Sequence, residues 1–164
     1  MDKYNDPDTK IIADIIEQKI INKKIQFSCK IDDDEIPIDN CNIIGDCLEN
    51  ILYRYVGDKL DTFESGPKQS SPDFFNRDKK YEWELKGFKD KPGFDVSNFT
   101  SYINQLNEIN GVKRKLYQTK YIIMNYSLIS GVAKIKDYKI CNVWNIVGYT
   151  GLYPISLQNK KGMW

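Results

Sequence analysis

The sequence PDFFNRDKKYEWELKGF, residues 72 to 88, decides the fold class of this chain because it is typical of two adjacent β-strands. Segments 72–76 and 81–88 are rich in aromatic residues, and the turn-forming Asn76-Arg77-Asp78-Lys79 separates them. Another short strand is predicted just upstream, over 60–64, before Ser65-Gly66-Pro67. We therefore predict a run of three strands at the centre of the chain.

The predicted strand over 81–88 carries polar and apolar residues in alternation. Side chains alternate faces along a strand, so Glu84 and Lys86 share one face while Trp83 and Leu85 point into the core. Asp73 follows Pro72 on the neighbouring strand and is expected beside them. This places two carboxylates and one ammonium group together.

Two carboxylates a few ångströms apart repel each other, and a divalent cation relieves that repulsion. Hard Mg²⁺, which prefers oxygen ligands and retained waters, suits Asp73, Glu84 and the backbone carbonyl of Leu85. Lys86, partly desolvated beside the ion, would hold an attacking water and stabilise charge on a phosphate. Two simpler interpretations stay open. Asp73 would then only cap a turn, and Glu84 with Lys86 would form a solvent-facing ion pair on an edge strand.

The remaining periodic segments place these strands within an α/β arrangement around a mixed sheet. Helices are predicted over 9–23, over 42–56 with Gly57 as C-terminal cap, and over 94–109, and further strands over 121–124 and 138–147. In the second helix the inward residues are predicted to be Ile44, Cys47, Leu48, Ile51, Leu52 and Tyr55. Residues 32–39, acidic and broken by Pro37, are predicted to be a solvated loop in preference to a metal site. No repeat or linker interrupts the chain, so we predict one domain over 1–164, with its core over about 42–147.

Composition excludes several classes of enzyme. The 164 residues include 24 Lys and Arg against 23 Asp and Glu, and no histidine. Catalysis by Ser-His-Asp or Cys-His groups, and zinc hydrolysis through histidine ligands, are therefore excluded. The four cysteines form no C-x-x-C pair and are predicted to be reduced thiols. The polar amino terminus and the short apolar runs favour a soluble cytoplasmic protein without membrane contact.

Pro72-Asp73 followed by Glu84-Leu85-Lys86 resembles the PD-(D/E)XK nuclease superfamily, and within it the type II restriction endonucleases. The predicted order of elements over 42–126 is similar to the αβββαβ core of that superfamily. The segment 86–99 resembles restriction enzymes of the NgoBV kind. The resemblance implies a further site residue, Glu49, which lies on the helix that precedes the strands and would bind the metal or orient Lys86. A glutamate on the exposed helix surface is the alternative.

The resemblance implies magnesium-dependent hydrolysis of double-stranded DNA that leaves 5′-phosphate ends, with Mn²⁺ as a possible substitute and no organic cofactor. A palindromic target would imply a homodimer. Polar residues near the DNA groove would supply sequence selectivity. The candidates are Gln69, Lys89, Lys91, Ser97, Asn98, Gln118, Lys120, Gln158, Asn159 and Lys160. The alternatives are a repair or resolvase nuclease of the same superfamily, and a non-catalytic α/β module that binds nucleic acid or protein.

Overall fold

The computed structural model describes residues 6–68, 71–78, 81–89 and 118–142, together with the backbone of residues 97–98 and 157–158. The helices are α1 (Pro7–Ile15), which continues in π-helical form over Ile16–Ile20, and α2 (Cys41–Gly57). The strands are β1 (Lys24–Gln26), β2 (Ser28–Ile31), β3 (Asp34–Pro37), β4 (Phe63–Ser65), β5 (Phe74–Asn76), β6 (Glu82–Lys89), β7 (Ser97–Asn98), β8 (Thr119–Ile129), β9 (Val132–Asn142) and β10 (Leu157–Gln158).

Six strands form one mixed sheet in the order β1-β9-β8-β6-β5-β4. The β6–β8 pair is parallel and the other neighbours are antiparallel. The predicted α/β class with a mixed sheet and flanking helices is confirmed. Since β6 lies between β8 and β5, the strand that carries Glu84 and Lys86 is an interior strand and not an edge strand.

Helix α1 begins at a strong amino-terminal cap. The Asp6 side chain accepts a hydrogen bond from the Thr9 backbone N–H at 2.7 Å, and Pro7 occupies the first helical position. Its inner face buries Ile12 and Ile16, which join the main apolar core. The helix predicted over 9–23 is therefore present, although it begins earlier and ends at Ile20.

Helix α2 buries the stripe Ile44, Leu48, Leu52 and Val56, which follows the spacing of one helix face. Tyr55 was predicted to point inward, and this prediction is wrong because its side chain is 38% exposed. Val56, one residue later, completes the buried stripe instead. Gly57 is the last helical residue and Asp58 is the C-cap, in right-handed helical conformation.

The core lies between the two helices and one face of the sheet. Trp83 and Leu85 of β6 are buried with Ile122 and Met124 of β8, as the predicted alternation requires. The indole N–H of Trp83 donates to the Thr9 hydroxyl at 3.0 Å and ties β6 to α1. Within the described residues no helix is both long and apolar enough to cross a membrane.

Three predictions about secondary structure require correction. Residues 32–39 are not a loop, because β2 and β3 pair as an exposed hairpin that turns at Asp32, where φ is 51°. The strand predicted over 138–147 begins at Val132, directly after a tight turn at Ser130-Gly131 with positive φ. Most of the helix predicted over 94–109 lies outside the described residues, and within it Ser97–Asn98 forms a short parallel pair with Leu157–Gln158.

Candidate active site

Asp73 lies immediately before β5 and faces β6. Its carboxylate Oδ2 accepts a hydrogen bond from the Leu85 backbone N–H at 2.7 Å. On the other side, the Gly66 N–H donates to the Asp73 carbonyl at 2.7 Å, and a Cβ on Gly66 would lie only 1.7 Å from the Pro72 carbonyl oxygen. Glycine is therefore required at position 66, and the close packing there fixes Asp73 beside β6.

Glu84 and Lys86 lie on the same face of β6 and are in direct contact. The Lys86 Nζ lies 2.7 Å from Glu84 Oε1, and the Ser71 hydroxyl donates to Glu84 Oε2 at 2.8 Å. The Glu84 side chain is only 8% exposed. A solvent-facing ion pair on an edge strand therefore does not describe these residues.

The charge state of Lys86 follows from its surroundings. Burial alone would lower the pKa of the Lys86 ammonium, but the charge of Glu84, the hydrogen bond to it and the carboxylates of Asp73 and Glu49 outweigh this, so the pKa is raised. Lys86 is consequently a cation at neutral pH. It can orient a water or stabilise an anion, but it is a poor acceptor of protons.

Glu49 belongs to the same group of charges. Burial, then the charges of Asp73 and Asp46, raise its pKa from 4.5 to about 7, while Lys86 opposes the shift. Glu49 and Asp73 also line one open cavity of about 380 Å³. The structure thus brings Asp73, Glu84 and Lys86 together with Glu49, the residue that the family resemblance implied.

Sequence reasoning missed four polar residues of this cavity, which are Asp46, Asn50, Ser65 and Lys68. Asp46 lies three residues before Glu49 and four before Asn50 on α2, which makes it a neighbour of both on the helix surface. The sequence does contain this signal. Lys68 lies in the loop that follows β4, where no periodic pattern reveals its direction.

The donor groups of Asp73 and Glu84 decide whether this site fits the divalent ion that the resemblance implies. In the described part of the chain no three His, Cys, Asp or Glu side chains are close enough to hold an ion by themselves. Magnesium, however, is commonly held by one or two carboxylates with several retained waters. Asp73 and Glu84 supply only oxygen donors, and their negative charges both raise the pKa of Glu49. The residues present therefore fit a hard divalent cation.

Comparison with known proteins assigns this chain to a family. The family model described as NgoBV restriction endonuclease matches residues 6–164. The chain belongs to this family. It is 28% identical over 154 residues to the type II restriction enzyme NlaIV of Neisseria lactamica, covering 90% of this chain and 62% of that enzyme. A solved structure of the NlaIV restriction endonuclease has the same fold, with a TM-score of 0.65 and 24% identity over 83% of this chain and 57% of the solved chain.

The chain thus spans about three fifths of the length of the NlaIV enzyme and of the solved NlaIV structure that it matches. The likeness to the solved structure concerns the fold. The restriction-endonuclease-like α/β architecture predicted from residues 42–126 is therefore confirmed. The roles of individual residues rest on the geometry described above.

Lys120 was predicted to contact DNA, but its side chain is largely buried and paired within the protein. Its ammonium forms an ion pair with the buried carboxylate of Asp6, lies 3.2 Å from the Thr9 hydroxyl and stands over the ring of Tyr81 at 5.4 Å. Only 19% of the Lys120 side chain is exposed. These contacts favour a structural role for Lys120, which joins α1 to β8, over the predicted DNA contact.

We expect Lys120→Ala to lower the free energy of unfolding by roughly 3 kcal/mol, because the buried Asp6 carboxylate would lose its cation. Lys134→Ala, which removes an exposed lysine from β9, is the matched control and should change stability by less than about 0.5 kcal/mol. Urea unfolding of both variants measures the difference. Equal stability of the two variants would contradict the structural role.

The other predicted DNA contacts have varied positions. Lys89 at the end of β6 and Gln118 just before β8 are exposed. Ser97, Asn98 and Gln158 are described only by their backbone, which joins them in the β7–β10 pair. Gln69, Lys91, Asn159 and Lys160 lie outside the described residues.

Glu49 provides a test of the site's electrostatics without any substrate. Its pKa is higher in the folded protein, about 7, than the ordinary 4.5, so the folded state holds this proton longer and loses stability as pH rises from about 4.5 to 7. Glu49→Gln should therefore be more stable than the parent at pH 8 in chelator, by on the order of 1 kcal/mol after screening, and not at pH 4. Asp14→Asn, at an exposed position of α1, is the control in the same melts. If the change in stability caused by Glu49→Gln did not depend on pH, the raised pKa of Glu49 would be refuted.

Proposed function

We propose that the protein is a type II restriction endonuclease that hydrolyses phosphodiester bonds of double-stranded DNA at a specific sequence, with Mg²⁺ as cofactor. Two findings support this proposal. The chain belongs to the NgoBV restriction endonuclease family, and Asp73, Glu84 and Lys86 meet at one place on β5 and β6. That meeting of two carboxylates and a lysine carries the assignment, since it suits phosphodiester hydrolysis.

Asp73 and Glu84, with the carbonyl of Leu85, would hold the cation. When bound, Mg²⁺ stabilises the added negative charge at the phosphate and the departing 3′ oxygen. Mn²⁺, with the same preference for oxygen ligands, would substitute for it. With the cation bound, Asp73 and Glu84 would no longer repel the DNA backbone through their negative charges.

Lys86 positions the attacking water. Its ammonium donates a hydrogen bond to the water oxygen, leaves a lone pair directed at phosphorus, and stabilises charge on the phosphate oxygen. Glu49, whose carboxylate acts on Lys86 through its charge, orients the ammonium toward the cavity. The water oxygen bonds to phosphorus as the bond between phosphorus and the 3′ oxygen breaks, the water releases a proton to solvent, and the 3′ oxygen takes one up. The reaction therefore leaves a 5′-phosphate on one fragment and a 3′-hydroxyl on the other.

Recognition of a specific sequence requires polar groups at base edges in addition to this site. We assign that role to Lys89 and Gln118, and to the candidates at 69, 91, 97–98 and 158–160. A palindromic target is cut once on each strand, so the proposed enzyme acts as a homodimer with one site per strand. Its substrate places it in the cytoplasm, and the reaction needs no organic cofactor.

Digestion of plasmid DNA tests the proposal. With Mg²⁺ we expect discrete fragments, whereas Ca²⁺ should permit binding but little cleavage because its coordination is looser and it activates water poorly. Chelator should abolish cutting. A smear of fragments would contradict site-specific cleavage and would favour a repair-type nuclease. Binding of DNA without cleavage in any of these ions would favour a non-catalytic module.

A further inference from the structure

Tyr121 lies next to Glu84 on the neighbouring strand. The parallel register of β6 and β8 pairs Glu84 with Tyr121, and directly paired residues of a sheet project from the same face. The Tyr121 side chain is fully buried. Its ring therefore occupies the protein interior beside the Glu84 carboxylate.

The hydroxyl of this tyrosine has no hydrogen-bond partner among the described residues. Buried hydroxyl groups normally find partners, because an unpaired donor loses its hydration without compensation. Burial, then the charges of Glu84 and Asp73, raise the pKa of the Tyr121 hydroxyl, so the group keeps its proton and remains a donor. The packing of the core does not explain an unpaired donor on which the charges of two carboxylates act.

Glu84 is already bonded at both oxygens, by Lys86 at Oε1 and by Ser71 at Oε2. In the loaded site Lys86 would turn from Glu84 toward the attacking water, to which it also donates. A carboxylate oxygen accepts two hydrogen bonds, so Glu84 retains capacity for another donor while it serves as a ligand. Tyr121 is the donor in position to replace Lys86.

We propose that Tyr121 is a positioning residue, whose hydroxyl donates to Glu84 when Lys86 turns to the water and so fixes the carboxylate for the cation. This inference rests on the proposed function. Groups that hydrogen-bond a metal ligand commonly change metal affinity or activity by 10- to 100-fold. The contact would thus form in the loaded site, whereas the Tyr121 hydroxyl is unpaired in the structure described above.

Tyr121→Phe removes only the hydroxyl, and Tyr126→Phe is its matched control. Tyr126 is a buried tyrosine on the opposite face of β8, and its hydroxyl hydrogen-bonds to Cys41. Thermal melts of the parent and both variants in chelator, and across a titration with Mn²⁺ alone, give the metal-free stability and the manganese dissociation constant. Cleavage kinetics in Mg²⁺ are measured on the same preparations.

In chelator, Tyr121→Phe should melt at or above the temperature of the parent, because an unpaired buried donor has been removed. Its manganese dissociation constant should rise by about 10- to 100-fold, and kcat should fall with little change in KM. Tyr126→Phe should show the reverse pattern, a lower melting temperature with unchanged manganese affinity.

Two results would overturn the inference, and they are distinguishable. If Mn²⁺ stabilises the parent and Tyr121→Phe equally, the hydroxyl does not act on Glu84, while the proposed function stands. If Mn²⁺ does not stabilise the parent at all, the cation site fails and the proposed function fails with it.

Discussion

Lys86→Ala is expected to slow DNA cleavage by about 10²- to 10³-fold or more, because it removes the only ammonium that contacts Glu84 among the described residues. The variant should still fold, since the opposite face of β6 carries Trp83 in the core. It should be less stable in chelator, however, because Glu84 is left buried without its cation. Single-turnover cleavage in Mg²⁺, at a temperature well below the melting point, measures the effect.

Lys89→Ala is the matched control for this experiment. Lys89 lies on the same strand but is exposed, outside the contacts that join Lys86 to Glu84. Its loss should weaken DNA affinity in a salt-dependent way and leave the rate of the chemical step close to that of the parent. If Lys86→Ala cleaved DNA at the rate of the parent, or if both variants lost cleavage rate equally, the assignment of Lys86 to the active site would be contradicted.

Asp73→Asn separates the metal role of this residue from its structural role. The amide oxygen can still accept the hydrogen bond from the Leu85 N–H, so that contact is retained while the negative charge is lost. Since the charge of Asp73 acts unfavourably on Glu49, the variant should be at least as heat-stable as the parent in chelator. In Mg²⁺ it should gain less stability than the parent and cleave DNA at least about 10²-fold more slowly.

Asp73→Ala is the companion variant. It loses both the charge and the acceptor for Leu85, and should therefore be less stable than Asp73→Asn with or without metal, by about 1 kcal/mol or more. If Asp73→Asn were destabilised to the same extent in chelator and in Mg²⁺, Asp73 would only brace the turn after Pro72, and the metal role would be lost.

The cluster of Asp73, Glu84 and Lys86 was predictable because its signal is local. Alternation along β6 sets which side chains share a face, and the short turn after Asn76 brings β5 beside β6 in antiparallel register. Glu49 required more than alternation, since only the family resemblance connects a residue of α2 with those strands.

Residues on β8 were not predictable in the same way. This strand is central in the sheet and is buried on both faces, so its sequence lacks the polar and apolar alternation that shows which side chain points where. Lys120 was predicted to contact DNA, although it pairs with Asp6, which is far away in sequence. The same lack of alternation hid the proximity of Tyr121 to Glu84.

The β2–β3 hairpin was missed for the opposite reason. It is exposed on both faces, so no buried stripe marks it, and its run of acidic residues is typical of a solvated loop. Pairing is instead favoured by the turn, where Asp32 adopts the positive φ that aspartate tolerates. Solvent exposure of this segment was predicted correctly, and its secondary structure was not.

Cleavage of plasmid DNA in Mg²⁺ by the parent and by Glu84→Gln, purified in parallel, tests the central claim most directly. Glutamine retains the shape of the side chain and its acceptor for Ser71 but removes the charge that would hold the cation. We predict discrete fragments from the parent and none from Glu84→Gln under the same conditions, while both proteins bind the DNA in Ca²⁺. Equal cleavage by the two proteins would show that the cluster on β5 and β6 is not the active site.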